Sequence, residues 1–194
     1  MLNKIAKVIR IITVPPVMVA ALLTLLFFTD DVFPAPLDYW LTLLFLAVVP
    51  MLAYPAQLLV PRWRAGGRKT QRLLAFVFSF VGYSAAVIVS IVRNAIPNLL
   101  YISAVYLASV ILLTLFNCFT PWHASGHSCS TAGPILLVCL FSGWYAVPVG
   151  LVIFGASFWA SVYMKRHTVR EFLLGALCGG LAALITYFIV FPTF

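Results

Sequence analysis

The sequence predicts an all-α protein: a polytopic membrane helix bundle with six or seven transmembrane helices. Three observations predict it. Apolar residues make up 64% of the 194 residues and charged residues only 8%, whereas a soluble domain carries about 25% charged residues. The mean hydropathy is +1.11. Several apolar runs reach about 20 residues, the helix length that crosses a bilayer. A bilayer admits only helices or closed barrels, because backbone polar groups must be satisfied internally. The runs do not alternate with a period of two, so helices are expected.

In chain order the spans are expected over about 8–28, 39–60, 73–92, 99–118, 125–144, 146–164 and 169–191. The first contains Pro15-Pro16, which should kink it; if that segment only dips into the membrane, six spans remain. No linker, repeat or low-complexity segment divides the chain, so residues 1–194 read as a single transmembrane domain. Cys118, Cys129, Cys139 and Cys178 show no CxxC spacing and lie in or beside apolar runs, so no disulfide framework is expected.

Charge is distributed unevenly between the loops. Lys4, Lys7, Arg10, Arg62, Arg64, Arg68, Lys69, Arg72, Lys165, Arg166 and Arg170 fall at one face, with Arg93, Asp30, Asp31 and Asp38 at the other. Eleven of the twelve Lys and Arg residues therefore share a face, which the positive-inside rule makes cytoplasmic. The expected location is a bacterial cell membrane. The net charge of +8 forms no independent basic domain, so it points to anionic lipid and an anionic substrate rather than to nucleic acid.

Two histidine motifs flank spans five and six: Ala124-Ser125-Gly126-His127 and His167-Thr168-Val169-Arg170-Glu171. Two crossings return the chain to the side it left, so both histidines are expected at one face, the basic one. His167 and Glu171 are four residues apart. On a helix they would share one face, and the carboxylate would fix the imidazole tautomer and leave the other nitrogen nucleophilic. Ser125 and Gly126 would open the fifth helix, whose free N–H groups attract an anion, and His127 would deliver a proton. Each motif alone also fits a surface loop with a helix cap. The third histidine, His123, shares the loop of His127. Arg68, Lys69 and Arg72 follow the second span, and phosphoryl chemistry needs such donors; Arg72, which abuts the third span, is the favoured one. His123 and His127 with Cys118 and Cys129 have no recognised zinc spacing, so neither a metal nor a cofactor is expected.

At these residues the chain resembles the phosphatidic acid phosphatase type 2 superfamily, integral membrane lipid phosphatases related to soluble bacterial acid phosphatases and vanadium haloperoxidases. Ala124-Ser125-Gly126-His127 matches the family's Pro-Ser-Gly-His motif. His167 with Glu171 matches its third motif, Ser-Arg, five residues, His, three residues, Asp. The resemblance covers about 99–191. It implies that His167 attacks phosphorus and forms a phosphohistidine. Glu171 would hold His167, and His127 would protonate the departing alcohol and later activate water. Ser125 and Gly126 would bind phosphate oxygens, with His123, Arg68, Lys69 and Arg72 as further phosphate-binding candidates. Two departures stand out. The family's first motif, with its Lys and Arg, is absent before Ser125, and Ser161 occupies the position of the third-motif arginine.

The expected function is therefore a membrane lipid phosphatase acting on a lipid phosphate or diphosphate of the polyprenyl or phosphatidate type. The two departures motivate an alternative, an impaired relative that binds or transports lipid phosphates, since one preorganised donor contributes several kcal/mol to such a transition state.

Overall fold

The computed structural model describes residues 1–29 and 32–192. Asp30 and Asp31 lie outside the described residues. Those described form helices and turns with no strand. Five helices are long and apolar enough to cross a membrane: Pro36–Leu59, Gly67–Val92, Pro97–Phe119, Trp144–Tyr163 and Val169–Val190. A sixth crossing needs two helices together, and a 17-residue apolar helix lies between the third and fourth of the five.

The first apolar run breaks into two helices at Pro15-Pro16, where a kink was expected. Helix α1, Leu2–Ile12, and α2, Pro15–Thr29, meet at 58°. Pro15 and Pro16 have no N–H to give to carbonyls in α1, but a proline suits the first turn of a helix, so the pair starts a new helix after Thr13-Val14. Helix α1 leaves Leu2, Ile5, Val8, Ile11 and Ile12 exposed and buries Ala6. It packs against the helix Val147–Tyr163.

The span Pro36–Leu59 is assembled from α3 (Pro36–Leu43), a π-helical turn (Leu44–Val48), α4 (Val49–Met51) and α5 (Ala53–Leu59). Pro50 follows the π turn and cannot donate to Leu46, which accounts for the irregularity there. The short helix α6, Pro61–Ala65, leads into α7, Gly67–Val92. Helix α7 starts six residues earlier than expected, so Arg68, Lys69 and Arg72 lie on its first turns rather than in a loop. Helix α8 is Pro97–Phe119, α9 Gly126–Ser142, α10 Val147–Tyr163 and α11 Val169–Val190. Helix α9 is about 25 Å long, shorter than its neighbours, and is followed by a 3₁₀ turn, Trp144–Ala146, before α10 turns back.

Two close approaches set the packing. At Gly82 the backbone of α7 meets the Phe45 carbonyl of the π turn, and at Gly175 α11 meets the Ser125 carbonyl; a Cβ at either glycine would collide with that carbonyl. The largest apolar core among the described residues draws on α2, the Pro36–Leu59 span, α7, α8 and α9. It includes Leu22, Leu26, Tyr39, Leu46, Ala86, Tyr101, Ile102 and Leu137. Arg93 donates from Nε to Asp38 Oδ1 at 3.1 Å, so the cation and the acid expected at the far face pair with each other.

Overpacking a tight helix contact costs about 1–3 kcal/mol. Gly175→Val is therefore expected to lower the thermal unfolding midpoint of the purified protein in detergent. Gly155→Ala should hold or raise it, because an added Cβ there meets nothing within 4 Å and alanine favours the helix.

Candidate functional site

The site is built from two helix starts held together. Ser125 is the N-cap of α9, and its Oγ accepts from the Ser128 amide at 3.2 Å. Thr168 is the N-cap of α11. Its Oγ1 accepts from the Glu171 amide at 3.2 Å, while the Thr168 amide donates to Glu171 Oε2 at 3.0 Å. This reciprocal pair is a capping box. The two starts are joined directly. The Ser125 amide donates to the Glu171 carbonyl at 2.9 Å, and the Ser128 hydroxyl donates to the Phe172 carbonyl. Asn117, near the end of α8, grips the same turn. Its Oδ1 accepts from the Ala124 amide at 2.6 Å and its Nδ2 donates to the Ala124 carbonyl at 3.2 Å.

His167 precedes the N-cap, so it does not meet Glu171 through helical i, i+4 spacing. The capping box delivers the carboxylate instead. Oε2 is 3.4 Å from His167 Nδ1 while it caps the helix. With Nδ1 facing the carboxylate, Nε2 is the nitrogen left for chemistry. The loop before it is closed by a left-handed residue, Lys165 (φ 52). There the Arg166 amide donates to the Ser161 carbonyl at 3.0 Å and the Lys165 amide to the Val162 carbonyl at 2.9 Å, the paired bonds of a Schellman terminus.

His127 lies in the first turn of α9. Its Nε2 is 3.2 Å from Thr13 Oγ1 and 3.3 Å from Ser157 Oγ. Thr13 already gives its hydroxyl hydrogen to the Ile9 carbonyl at 2.8 Å, so toward His127 it offers an acceptor. Ser157 Oγ, facing the same nitrogen, can donate or accept, so the pair of hydroxyls meets either tautomer of His127. Thr13 sits in the break between α1 and α2, so the Pro-Pro junction contributes to the site.

Both histidines line a cavity of about 670 Å³. Along α7 its wall runs from Arg68 to Tyr83, about 22 Å of helix. Of the sequence-predicted residues, Arg68, Arg72, His123, Gly126, His127, His167 and Glu171 line it. Arg68 and Arg72 are one turn apart and share a face, while Lys69, rotated away, is exposed and outside the lining. Ser125 is also outside it, buried with its hydroxyl engaged as the cap.

The cavity adds cations that were counted only toward topology: Arg10, Lys165 and Arg166. Arg10 reaches in from α1, and its Nη1 donates to Ser161 Oγ at 3.3 Å. Ser161 is fully buried on α10. Arg170, by contrast, stacks on Trp122 with 3.8 Å from Cζ to the ring centroid. Among the described residues none of Arg10, Arg68, Arg72, Lys165 and Arg166 makes an ion pair, and Glu171 is the sole acid in the lining. No group of three His, Cys, Asp or Glu side chains among the described residues is placed to hold a metal ion.

Thr168-x-x-Glu171 is legible as a capping box from sequence, and with it the doubled use of Glu171. Nothing in the sequence singles out Arg10 from Lys4 and Lys7, or joins Thr13 and Ser157 to His127. No family model, curated protein or solved structure matches this chain.

The His167 imidazole is held below its ordinary value of 6.5, first by burial; the hydrogen bond and charge of Glu171 oppose this, and Arg10 and Arg72 add to it. In carbon-13 histidine-labelled protein, the His167 resonance is therefore expected to titrate below pH 6.5. Glu171→Gln removes the two raising contributions and should move that midpoint further down.

Proposed function

We propose that this protein is a membrane lipid phosphatase that hydrolyses a lipid phosphate or diphosphate through a phosphohistidine. The observation that carries the reading is His167, backed by Glu171, in one cavity with His127 and with cations that pair with no acid among the described residues. The motif resemblance to the phosphatidic acid phosphatase type 2 superfamily adds to it.

In this reading His167 Nε2 attacks the terminal phosphorus, and the bond from that phosphorus to the lipid oxygen of a monophosphate, or to the bridging oxygen of a diphosphate, breaks. Glu171 stabilises the charge that His167 gains, and His127 gives the departing oxygen its proton. Water then attacks the phosphohistidine, losing its proton to His127, and inorganic phosphate leaves as His167 is restored. Phosphoryl transfer depends mostly on positioning and on countercharge around the equatorial oxygens. The amides of Gly126 and His127 in the first turn of α9 and the guanidinium groups of Arg68 and Arg72 suit that task. The cavity accommodates a headgroup at its charged end, and the lipid chain lies against the apolar helices. Eleven of the twelve Lys and Arg residues mark the histidine end as cytoplasmic by the positive-inside rule, in a cell membrane of bacterial type.

Ser161 in place of an arginine favours a second reading, in which the same cavity binds or moves lipid phosphates without cleaving them.

Phosphate release separates the two. Purified protein in detergent with EDTA is expected to release phosphate from dioleoyl phosphatidate or from a polyprenyl phosphate or diphosphate, and His167→Ala is expected to abolish release. Full turnover in that variant would sink the mechanism. Binding of these lipids with no release by the wild type would support the second reading. Because neutral His167 is the attacking form and its proton is lost below pH 6.5, the acid limb of the pH–rate profile should fall below pH 6.5. An acid limb above that value contradicts His167 as nucleophile.

A further inference from the structure

We propose that Arg10, carried by the N-terminal helix α1, is the anion-binding residue that stabilises the transferring phosphoryl group. The proposal rests on the phosphatase reading for the reaction, but the anion site itself does not.

Arg10 is half-buried and lines the cavity with both histidines. Its only side-chain hydrogen bond among the described residues is to a neutral hydroxyl, Ser161 Oγ. An arginine remains protonated in a protein, and a partly desolvated charge is costly without a partner. The single acid of the lining, Glu171, is already shared between the Thr168 amide and His167. The guanidinium thus has free N–H donors, and the counterion it lacks would be the ligand. Its charge is one of those that lower the His167 imidazole, and the two side chains line the same cavity. Arg68 and Arg72 are exposed on α7 and remain better hydrated. Three residues further on, Thr13 holds His127, so one short segment touches the proton carrier and reaches the cavity that the nucleophile lines.

The contact with Ser161 also fixes where the charge stands. Arg10 Nη1 is 3.3 Å from Ser161 Oγ, so an arginine built at 161 would extend into the volume that the Arg10 guanidinium fills. A charge moved from α1 to α10 should then serve the same anion.

The test uses the full chain in detergent, with phosphate release from dioleoyl phosphatidate for turnover and orthovanadate for binding. Arg10→Ala is expected to lower kcat about 100-fold or more with KM changed less than about threefold, and to weaken orthovanadate at least about tenfold. The double variant Arg10→Ala/Ser161→Arg should recover at least about tenfold of both, and the control Lys7→Ala, exposed on the same helix, should match the wild type. Arg10→Ala within about threefold of the wild type in both measurements would overturn the proposal. So would a loss that tracks a fallen thermal midpoint and is not recovered in the double variant, or a wild type that binds no orthovanadate. A wild type that releases no phosphate but binds orthovanadate through Arg10 would defeat the phosphatase reading and leave the anion site standing.

Discussion

The bond from the Ser125 amide to the Glu171 carbonyl is the contact on which the site depends. It ties the start of α9 to the start of α11, so two turns more than forty residues apart in sequence become one wall. Ser128 repeats the link to Phe172 one turn deeper, and Gly175 lets the two backbones approach at the Ser125 carbonyl. With these in place, the two helix starts, one carrying His127 and the other following His167, cannot separate without breaking both bonds in a region that offers few replacements.

Glu171 is asked to do two things with one oxygen. It satisfies the Thr168 amide at a helix start, where a carboxylate also meets the positive end of the helix dipole, and it faces His167 Nδ1. A capping residue is held by local backbone geometry, so the carboxylate that orients the imidazole is itself preorganised. The cavity's other charges run the opposite way. Five cations line it against one acid, a balance that favours an anion over a cation and over a neutral solute.

Much of this was legible in the sequence, because composition and run length alone require membrane helices. The two histidine motifs were expected to lie together, and both line one cavity. Element boundaries were less legible. Basic residues 68–72 look like a loop by hydropathy, yet they are helical because α7 runs on past its apolar segment. Pro15-Pro16 was legible as a bend, and only its sharpness, 58°, was not.

The sequence by itself determined the class of fold, a bundle of apolar membrane-type helices, for that depends on hydropathy and run length. Only the tertiary structure decided which cations face the cavity. Helical phase turns Arg68 and Arg72 inward and Lys69 outward, and packing of α1 on α10 brings Arg10 to Ser161 across 151 positions of chain. It likewise made Ser125 a buried cap and set Thr13 against His127. Such contacts come from the side-by-side arrangement of helices, and no local periodicity encodes which neighbour a polar side chain will meet.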